Sequence, residues 1–557
     1  MATNTASNPA ANDRGSLSSG HVRVITASSV GTMFEWYDFY LYGSLAANIA
    51  AKFFSGLDAT SGLIMALLAF AAGFFVRPFG ALLFGRLGDL IGRKYTFLIT
   101  IIIMGSSTFL VGLIPTYASI GLAAPVILII LRLLQGLALG GEYGGAATYV
   151  AEHAPPGKRG FYTSFIQITA TFGLFLSLIV ILLCKNFMSK EDFEAWGWRV
   201  PFLISFFLLL ISVYIRLQLQ ESPLFQQMKA EGRGSKSPLT ESFMRWDNMK
   251  IVILALLGAT AGEAVVWYGG QFYSLFFLQN VLKVDATMVS YLIAAALLIA
   301  TPFFVIFGAL SDKIGRKPII MAGCLLAALT YFPIFKGLTH YANPALEAAS
   351  ATSPVVVNAD PKTCAFQFDP VGKRQYKDSC DVAKNYLSKA GVPYTNKEAP
   401  AGTVATVQIG STTINSFEGG NLDADTFKTQ SGAFGKQMGD ALKAAGYPPK
   451  ADPAGVNWPM LLLLLTILVI YVTMVYGPIA AWLVELFPTR IRYSSLSLPY
   501  HIGNGWFGGF LPSISFGLVA ATGDIYYGLW YTVVISVMTL IIGTLFLRET
   551  KDVDISR

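Results

Sequence analysis

Residues Gly85 to Lys94 read Gly-Arg-Leu-Gly-Asp-Leu-Ile-Gly-Arg-Lys. A second copy, from Gly308 to Lys317, reads Gly-Ala-Leu-Ser-Asp-Lys-Ile-Gly-Arg-Lys. The first and last glycines, the aspartate, the arginine and the lysine keep their spacing in both copies. A repeat of this kind predicts that the chain is built from two related halves.

A second pair of matching stretches supports the duplication. Glu152 and Arg159, with a proline between them, recur further along the chain as Glu485 and Arg492. The separation of this pair exceeds that of the first pair by about 110 residues. We therefore expect an insertion of about that length within the second half, between the two motifs.

The composition places both halves in a membrane. Of the 557 residues, 54% are hydrophobic and only 13% are charged, whereas a soluble domain carries about 25% charged residues. The mean hydropathy is +0.54. Apolar blocks of about 20 residues are long enough to cross a bilayer as helices, so we predict an all-α membrane protein with twelve transmembrane helices in two groups of six. The predicted spans are 23–50, 61–84, 95–114, 123–150, 161–185, 198–216, 250–281, 287–310, 318–338, 457–484, 493–522 and 526–547.

The distribution of basic residues predicts the orientation, because cytoplasmic loops are enriched in Lys and Arg. Both tails and the loops after the even-numbered spans carry 21 of the 40 basic residues, whereas the opposite short loops carry five. Both termini are therefore expected in the cytoplasm. The N-terminal tail, 1–20, lacks the charged start and apolar core of a cleavable signal peptide.

The spans and the insertion divide the chain into seven predicted segments. The insert carries 11 basic and 11 acidic residues and is placed on the outer side by the topology. In that oxidising compartment we predict a disulfide between Cys364 and Cys380, with two free thiols as the alternative. The segments are a disordered cytoplasmic tail (1–20), an N-terminal six-helix bundle (21–216), a cytoplasmic linker (217–249), helices 7–9 of the C-terminal bundle (250–338), a periplasmic insert (339–456), helices 10–12 (457–547) and a cytoplasmic tail (548–557).

These motifs resemble the major facilitator superfamily, and further stretches resemble its metabolite:proton symporters. The further stretches are Glu35-Trp36-Tyr37-Asp38-Phe39, Arg77-Pro78-Phe79-Gly80, Arg132-Leu-Leu-Gln135-Gly136 and the glycine-rich run 140–145. The resemblance covers both membrane halves but not the insert. It implies two pseudo-symmetric six-helix bundles, a central binding site between them and rocking-type alternating access.

Charged residues inside the spans are candidates for proton coupling, because a charge at mid-bilayer is costly unless it has a partner or a function. We predict Asp38 as the proton carrier, Arg132 as its partner and Glu35 as a second acid; a static ion pair is the alternative. Glu142 is a further candidate, or is held by the glycine-rich backbone around it.

Candidate substrate-binding residues come from both halves. Arg77 can bind a carboxylate bidentately, or it can be a structural arginine near the gate. Polar and aromatic residues that share helix faces suit a substrate cavity, although such stripes also arise from plain helix packing. The remaining candidates are Tyr37, Gln135, Trp267, Tyr268, Gln271, Trp482 and Asn504.

The repeated motifs predict a gate. We expect Asp89 to accept hydrogen bonds from backbone N–H groups at a neighbouring helix N-terminus, where the helix dipole favours it. Arg93 and Arg159 are expected to pair with Glu152 and Asp89, and the second half is expected to do likewise. The alternative, that the basic residues only set the topology, does not explain the fixed glycines and aspartates. The predicted gating residues are Gly85, Asp89, Gly92, Arg93, Lys94, Glu152, Arg159, Asp312, Gly315, Arg316, Lys317, Glu485 and Arg492.

Other functional classes lack their sequence signals. No phosphate-binding Gly-x4-Gly-Lys-Ser/Thr motif, paired cysteine–histidine cluster or nucleophile–base motif is present, so we predict no enzyme activity, no metal and no cofactor. The basic residues lie in short clusters between apolar blocks, which does not favour nucleic acid. We expect a monomer in a bacterial inner membrane, surrounded by the lipid bilayer.

Together these features predict a proton-coupled symporter for a small organic acid. The resemblance suggests 2-oxoglutarate, a di- or tricarboxylate such as citrate, shikimate or an aromatic carboxylate. A zwitterion of the proline or betaine type is the second possibility. A membrane receptor that has lost transport and senses a ligand through the insert is a third.

Overall fold

The computed structural model describes residues 19–55, 72–367 and 375–556. Most of the predicted N-terminal tail and the first part of the second predicted span, 61–71, lie outside the described residues. The described chain is mainly helical, because helices satisfy every backbone hydrogen bond within an apolar segment.

The N-terminal half consists of helices of very different lengths. Two of them, α7 and α8, follow each other without a loop and form one long segment. The half ends with a linker that carries two short helices. The helices are α1 (Ser19–Ser44), α2 (Ala46–Phe53), α3 (Arg77–Leu90), α4 (Arg93–Leu113), α5 (Tyr117–Ile120), α6 (Ala123–His153), α7 (Arg159–Gln167), α8 (Thr169–Phe187), α9 (Lys190–Ala195), α10 (Val200–Leu217), α11 (Pro223–Ala230) and α12 (Pro238–Phe243).

The C-terminal half has two long segments that are interrupted by π-helical turns. In the first, the turns Leu256–Thr260, Gly269–Tyr273 and Phe277–Val281 separate α-helical pieces, and in the second the turn Gly503–Gly508 does so. The helices are α13 (Trp246–Ala255), α14 (Ala261–Tyr268), α15 (Ser274–Phe276), α16 (Ala286–Ile314), α17 (Arg316–Ala342), α18 (Pro344–Thr352), α19 (Ser379–Ala390), α20 (Ala424–Ala444), α21 (Trp458–Tyr476), α22 (Ile479–Leu486), α23 (Arg492–Ile502), α24 (Leu511–Thr522) and α25 (Leu529–Phe546).

Within the described ranges, ten helical segments are long and apolar enough to cross a membrane. They coincide with the third to twelfth predicted spans. The first predicted span corresponds to α1 and α2, and the described end of the second corresponds to α3.

The insert adds a small sheet to this helical chain. Its four strands are β1 (Val355–Ala359), β2 (Thr395–Glu398), β3 (Thr406–Ile409) and β4 (Thr412–Asn415), in the order β2-β1-β3-β4. Strand β1 pairs parallel to β2 and antiparallel to β3, and β3 pairs antiparallel to β4. Alternate residues of β1 are buried, as expected when one face of a sheet packs on a core.

The insert contains the predicted disulfide. Cys364 and Cys380 are joined, with their Cα atoms 5.3 Å apart. Cys380 lies in the first turn of α19 and is fully buried. The bridge therefore ties the segment after β1 to the helix that follows it in the chain.

We expect Cys364→Ser to destabilise the insert. The two cysteines are 16 residues apart, and closing a loop of that length contributes about 3 kcal/mol. The change in the stability of the insert is measured by urea unfolding of the purified protein, with protease cleavage within the insert as the readout. Cys184→Ser removes a free cysteine and serves as the control. An unchanged urea midpoint in the Cys364→Ser variant would contradict the expectation.

The insert is attached to the C-terminal half by hydrogen bonds to backbone carbonyls of Lys283, Thr522 and Gly523, at the end opposite the Gly-x3-Asp motifs. The backbone N–H of Tyr394 donates to Gly523 over 3.0 Å, and the Asn396 amide donates to the Thr522 carbonyl over 2.9 Å. The backbone N–H of Ala451 donates to Lys283 over 3.1 Å. We call this end the insert end and the opposite one the motif end.

Candidate functional site

A cavity lies between the two halves at the centre of the helical body. Its walls are mostly aromatic, and its polar groups include a guanidinium, an imidazole, an amide and hydroxyls. The lining residues are Thr32, Trp36, Arg77 and Tyr143 from the N-terminal half and Trp267, Tyr268, Tyr476, Tyr500, His501 and Asn504 from the C-terminal half.

The π-helical turns of the C-terminal half border this cavity. Trp267 and Tyr268 are the last two residues of α14, directly before the turn Gly269–Tyr273. Asn504 lies within the turn Gly503–Gly508. A π-turn shifts the side chains that follow it relative to a regular helix, and such turns are frequent at functional sites.

Aromatic contacts close the cavity across the two halves. The Tyr143 and Tyr500 rings are stacked with centroids 3.6 Å apart, and the Tyr476 and Tyr500 hydroxyls are 2.8 Å apart. The Trp36 and Trp267 rings approach to 6.0 Å. The Tyr143–Tyr500 and Trp36–Trp267 contacts bring residues from both halves to one site.

Four of the predicted substrate-binding residues line this cavity, namely Arg77, Trp267, Tyr268 and Asn504. The Arg77 guanidinium also lies 4.3 Å from the centroid of the Phe74 ring. A guanidinium has a planar two-donor edge whose geometry matches that of a carboxylate.

The other predicted substrate-binding residues lie elsewhere. Tyr37 is fully buried within the N-terminal half and donates to the Pro201 carbonyl over 2.7 Å. The Trp482 indole donates to the Arg548 carbonyl over 3.2 Å, at the motif end. Gln135 joins the contacts around Asp38, and Gln271 is buried in the π-turn after α14. The prediction that these four residues line the cavity is corrected. Helical spacing predicts which residues lie on one face of a helix, but it does not predict which neighbouring helix that face contacts.

Asp38 is buried inside the N-terminal half among hydroxyl groups. The Thr108 hydroxyl donates to it over 2.9 Å and the Ser205 hydroxyl over 3.1 Å. Gln135 donates to Thr108 and accepts from Arg132, both over 2.5 Å. The expected direct pairing of Asp38 with Arg132 is thus replaced by a chain of hydrogen bonds, because Gln135 occupies the position next to the guanidinium. The Glu35 side chain lies outside the described residues.

Glu142 forms an ion pair that the sequence analysis missed. Arg216 donates to Glu142 over 2.5 Å, and the Thr100 hydroxyl also donates to Glu142, over 2.8 Å. Arg216 also lies over the Phe97 ring at 3.5 Å. An arginine thus holds Glu142, rather than the glycine-rich backbone that was the alternative to a role in proton coupling. The signal available was a lone arginine in the last turn of an otherwise apolar span.

The motif end is closed by two related sets of contacts. The backbone N–H groups of Tyr493 and Ser494, in the first turn of α23, donate to Asp89 over 3.2 and 2.9 Å. The N–H groups of Gly160 and Phe161, in the first turn of α7, each donate to Asp312 over 2.8 Å. Each aspartate therefore binds a helix N-terminus of the other half, where the dipole favours an anion.

The glutamates of the second motif add ion pairs between the halves. Glu152 accepts from Arg492 at 2.7 Å and lies 3.5 Å from Arg93. Glu485 accepts from Arg316 at 3.0 Å and lies 3.5 Å from Arg159. The expectation that Arg159 pairs with Glu152 or Asp89 is wrong: Arg159 reaches across to Glu485, and Arg492 reaches across to Glu152.

The glycines and lysines of the motifs shape the turns. Gly92 and Gly315 have φ of 128° and 112° directly before α4 and α17, a conformation that side chains disfavour. The lysines donate to carbonyls at the last helix of each half, Lys94 to Leu217 over 3.2 Å and Lys317 to Leu547 over 2.9 Å. Gly85 packs so closely on Ser494 of the other half that an added Cβ would lie 2.7 Å from its Cα.

A third pair of matching residues, Glu221 and Glu549, was not predicted from the sequence. Glu221 accepts from the backbone N–H groups of Arg93 and Lys94, and Glu549 accepts from those of Arg316 and Lys317. A serine and a threonine follow these glutamates and donate to Glu152 and Glu485, respectively. The signal was an acidic residue followed directly by a hydroxyl residue, shortly after the last span of each half.

The C-terminal segment also crosses the motif end. Arg159 donates to the Val553 carbonyl over 2.9 Å, and Arg492 donates to the Ile555 carbonyl over 2.6 Å. Because these arginines belong to different halves, the segment contacts both.

Comparison with known proteins supports the assignment of the fold. Residues 24–248 match the family described as "Sugar (and other) transporter". The alpha-ketoglutarate permease of Escherichia coli (strain K12) is 35% identical over 320 residues, which cover 58% of this chain and 72% of the permease. The proline/betaine transporter of Salmonella typhimurium (strain LT2) is 36% identical over 324 residues, which cover 56% of this chain and 64% of that protein.

The structure is similar to that of the proton:xylose symporter XylE bound to 6-bromo-6-deoxy-D-glucose. The TM-score is 0.61 at 16% identity, covering 97% of this chain and 98% of the symporter. Fold and site thus define a multi-pass membrane protein of the transporter class. The chain belongs to the major facilitator superfamily of sugar and metabolite transporters.

Proposed function

We propose that the protein is a proton-coupled symporter that imports a small organic acid across a bacterial inner membrane. The observation that carries the proposal is the central cavity, in which Arg77 faces aromatic and polar groups of the other half. A guanidinium is a strong partner for a carboxylate in a site shielded from water. The names of the two relatives, an alpha-ketoglutarate permease and a proline/betaine transporter, both refer to carboxylate-bearing compounds, which is consistent with this class of substrate.

The remaining features fit alternating access. In the proposed orientation the motif end and both termini face the cytoplasm, so the described conformation is closed on that side. The insert then lies outside, and the protein works as a monomer in the bilayer. We assign proton binding to Asp38, because its carboxylate is buried within the N-terminal half, where hydroxyls of α4 and α10 donate to it.

The first test is proton movement into proteoliposomes on addition of single compounds. The panel contains 2-oxoglutarate, citrate, shikimate, benzoate, proline and glycine betaine. We expect proton influx with at least one of them and counterflow of the same labelled compound. Binding without counterflow would instead favour the receptor hypothesis, and persistent accumulation under a protonophore would refute proton coupling.

A zwitterionic substrate is the second candidate, and the aromatic walls of the cavity favour it. A quaternary ammonium is attracted to the faces of Trp and Tyr rings. Trp36, Trp267 and Tyr268 present such rings in the cavity that also contains Arg77. Glycine betaine influx that exceeds 2-oxoglutarate influx would identify this class.

For either class we expect Arg77→Lys to weaken substrate binding. A lysine keeps the charge but loses the planar two-donor edge. Loss of one charge-assisted hydrogen bond of about 1.5–3 kcal/mol corresponds to a roughly 10- to 100-fold rise in KM. Initial uptake rates at varied substrate concentration measure this, with Arg86→Lys outside the cavity as the control. An unchanged KM would assign Arg77 a structural role.

A further inference from the structure

Glu263 is a buried acid in the C-terminal half, and among the described residues no basic side chain pairs with it. Its side chain is 0% exposed in α14. The Asn504 amide donates to Oε2 over 3.0 Å, and Oε1 has no hydrogen-bond partner among the described residues. The other buried glutamates, Glu142, Glu152 and Glu485, each pair with an arginine.

The protonation state of Glu263 follows from the lack of a basic partner among the described residues. A carboxylate that is buried without a cation or sufficient donors costs several kcal/mol relative to water. One amide donor is fewer than an ionised carboxylate requires, since it offers about four acceptor positions. In the described conformation Glu263 is therefore neutral. The Asn504 amide occupies Oε2, so the proton resides on Oε1.

Among the residues that the structure describes, the groups around Glu263 supply no positive charge. The titratable groups that face it are Tyr143 from the N-terminal half, Tyr268 on its own segment, and Tyr500 and Cys324 on neighbouring helices. Arg77 and His501 line the cavity, with Asn504 between the cavity and the acid.

Asn504 connects this acid to the substrate cavity. Its side chain lines the cavity and also donates to Glu263. It lies in the π-turn Gly503–Gly508, a geometry that is frequent at functional sites. A substrate that contacts Asn504 therefore acts on the hydrogen bond that Glu263 accepts.

We propose that Glu263 carries a second proton in the transport cycle, separate from the proton on Asp38. The proposal rests on the proposed function. When water reaches the site, the O–H bond on Oε1 breaks, the proton passes to water and the carboxylate is hydrated. When the cavity closes around substrate, the carboxylate takes up a proton from water and is buried neutral. Each cycle then moves two protons, one through each half.

The test compares the proton-to-substrate ratio of the full-length wild type and Glu263→Gln in proteoliposomes. The probe is whichever of 2-oxoglutarate and glycine betaine drives the larger wild-type influx, and the ratio comes from the reversal potential. We expect the ratio to fall by one in Glu263→Gln, because glutamine mimics the neutral acid, with substrate exchange retained. Glu347→Gln, at an exposed acid of the insert, is the control and keeps the wild-type ratio.

A second measurement tests the proposal even if the Glu263→Gln variant does not transport substrate. Proton uptake on probe binding to detergent-solubilised protein is counted with a pH-sensitive dye. Wild type and Glu263→Asp should take up one more proton per chain than Glu263→Gln. Equal ratios or equal proton counts in wild type and Glu263→Gln would overturn this inference. Absence of any substrate-linked proton movement in the wild type would instead overturn the proposed function.

Discussion

Asp38→Asn is expected to reduce substrate accumulation driven by a pH gradient strongly, because it removes one of the two proposed protons, while leaving exchange of substrate across the membrane. Asparagine cannot bind and release a proton, so the proton assigned to Asp38 no longer drives the conformational change. It keeps one oxygen that accepts from Thr108 or Ser205, and the local packing is therefore retained. Proteoliposomes with an imposed pH gradient measure accumulation, and counterflow measures exchange.

The matched control for this prediction is Asp247→Asn. It makes the same substitution at an exposed acid in the first turn of α13. Control and wild type should accumulate substrate equally. If Asp38→Asn accumulates substrate to the level of its control, the coupling proton lies on another residue.

The second large effect is expected from Glu152→Gln, which should open the motif end. Glu152 is the counter-charge for both Arg93 and Arg492. Removing one partner of a buried ion pair costs about 3–5 kcal/mol. Only the conformation closed at the motif end bears this cost in full, so its population relative to the open one should fall by more than about 100-fold.

Labelling of a cysteine at Ser497 reports this opening. Ser497 is buried against Gly144 of the other half, so a soluble thiol reagent reaches it only when the motif end opens. The background replaces the free cysteines Cys184 and Cys324 by serine. Glu142→Gln is the control, because its partner Arg216 lies in the same half. Equal labelling of both variants would show that the ion pairs of Glu152 do not hold the motif end closed.

Most of the fold could be predicted from the sequence, because a bilayer requires long apolar helices that are recognisable in the amino-acid sequence. Long apolar blocks predict spans, and the two motif copies predict the duplication and the position of the insertion. The insert itself offered no motif, so its sheet and its contacts with the C-terminal half could not be predicted. Its strands are only four or five residues long, too short for a periodic pattern to stand out.

The candidate site was predicted less completely than the fold. Arg77, Trp267, Tyr268 and Asn504 line the cavity, whereas Tyr37 and Trp482 pack elsewhere. Helical periodicity groups residues on a face, but which helix that face meets depends on tertiary packing. The ion pairs of Arg159 with Glu485 and of Arg492 with Glu152, each between the two halves, were not predicted for the same reason.

The attachment of the insert has a practical consequence for imaging. Its contacts described above all reach the loops and helix ends of the C-terminal half, so its orientation follows that half. An antibody fragment bound to the insert would give the small, nearly featureless membrane particle an alignment marker. The angle between marker and N-terminal helices would then read out the rotation of one half against the other, particle by particle, without a label in the membrane.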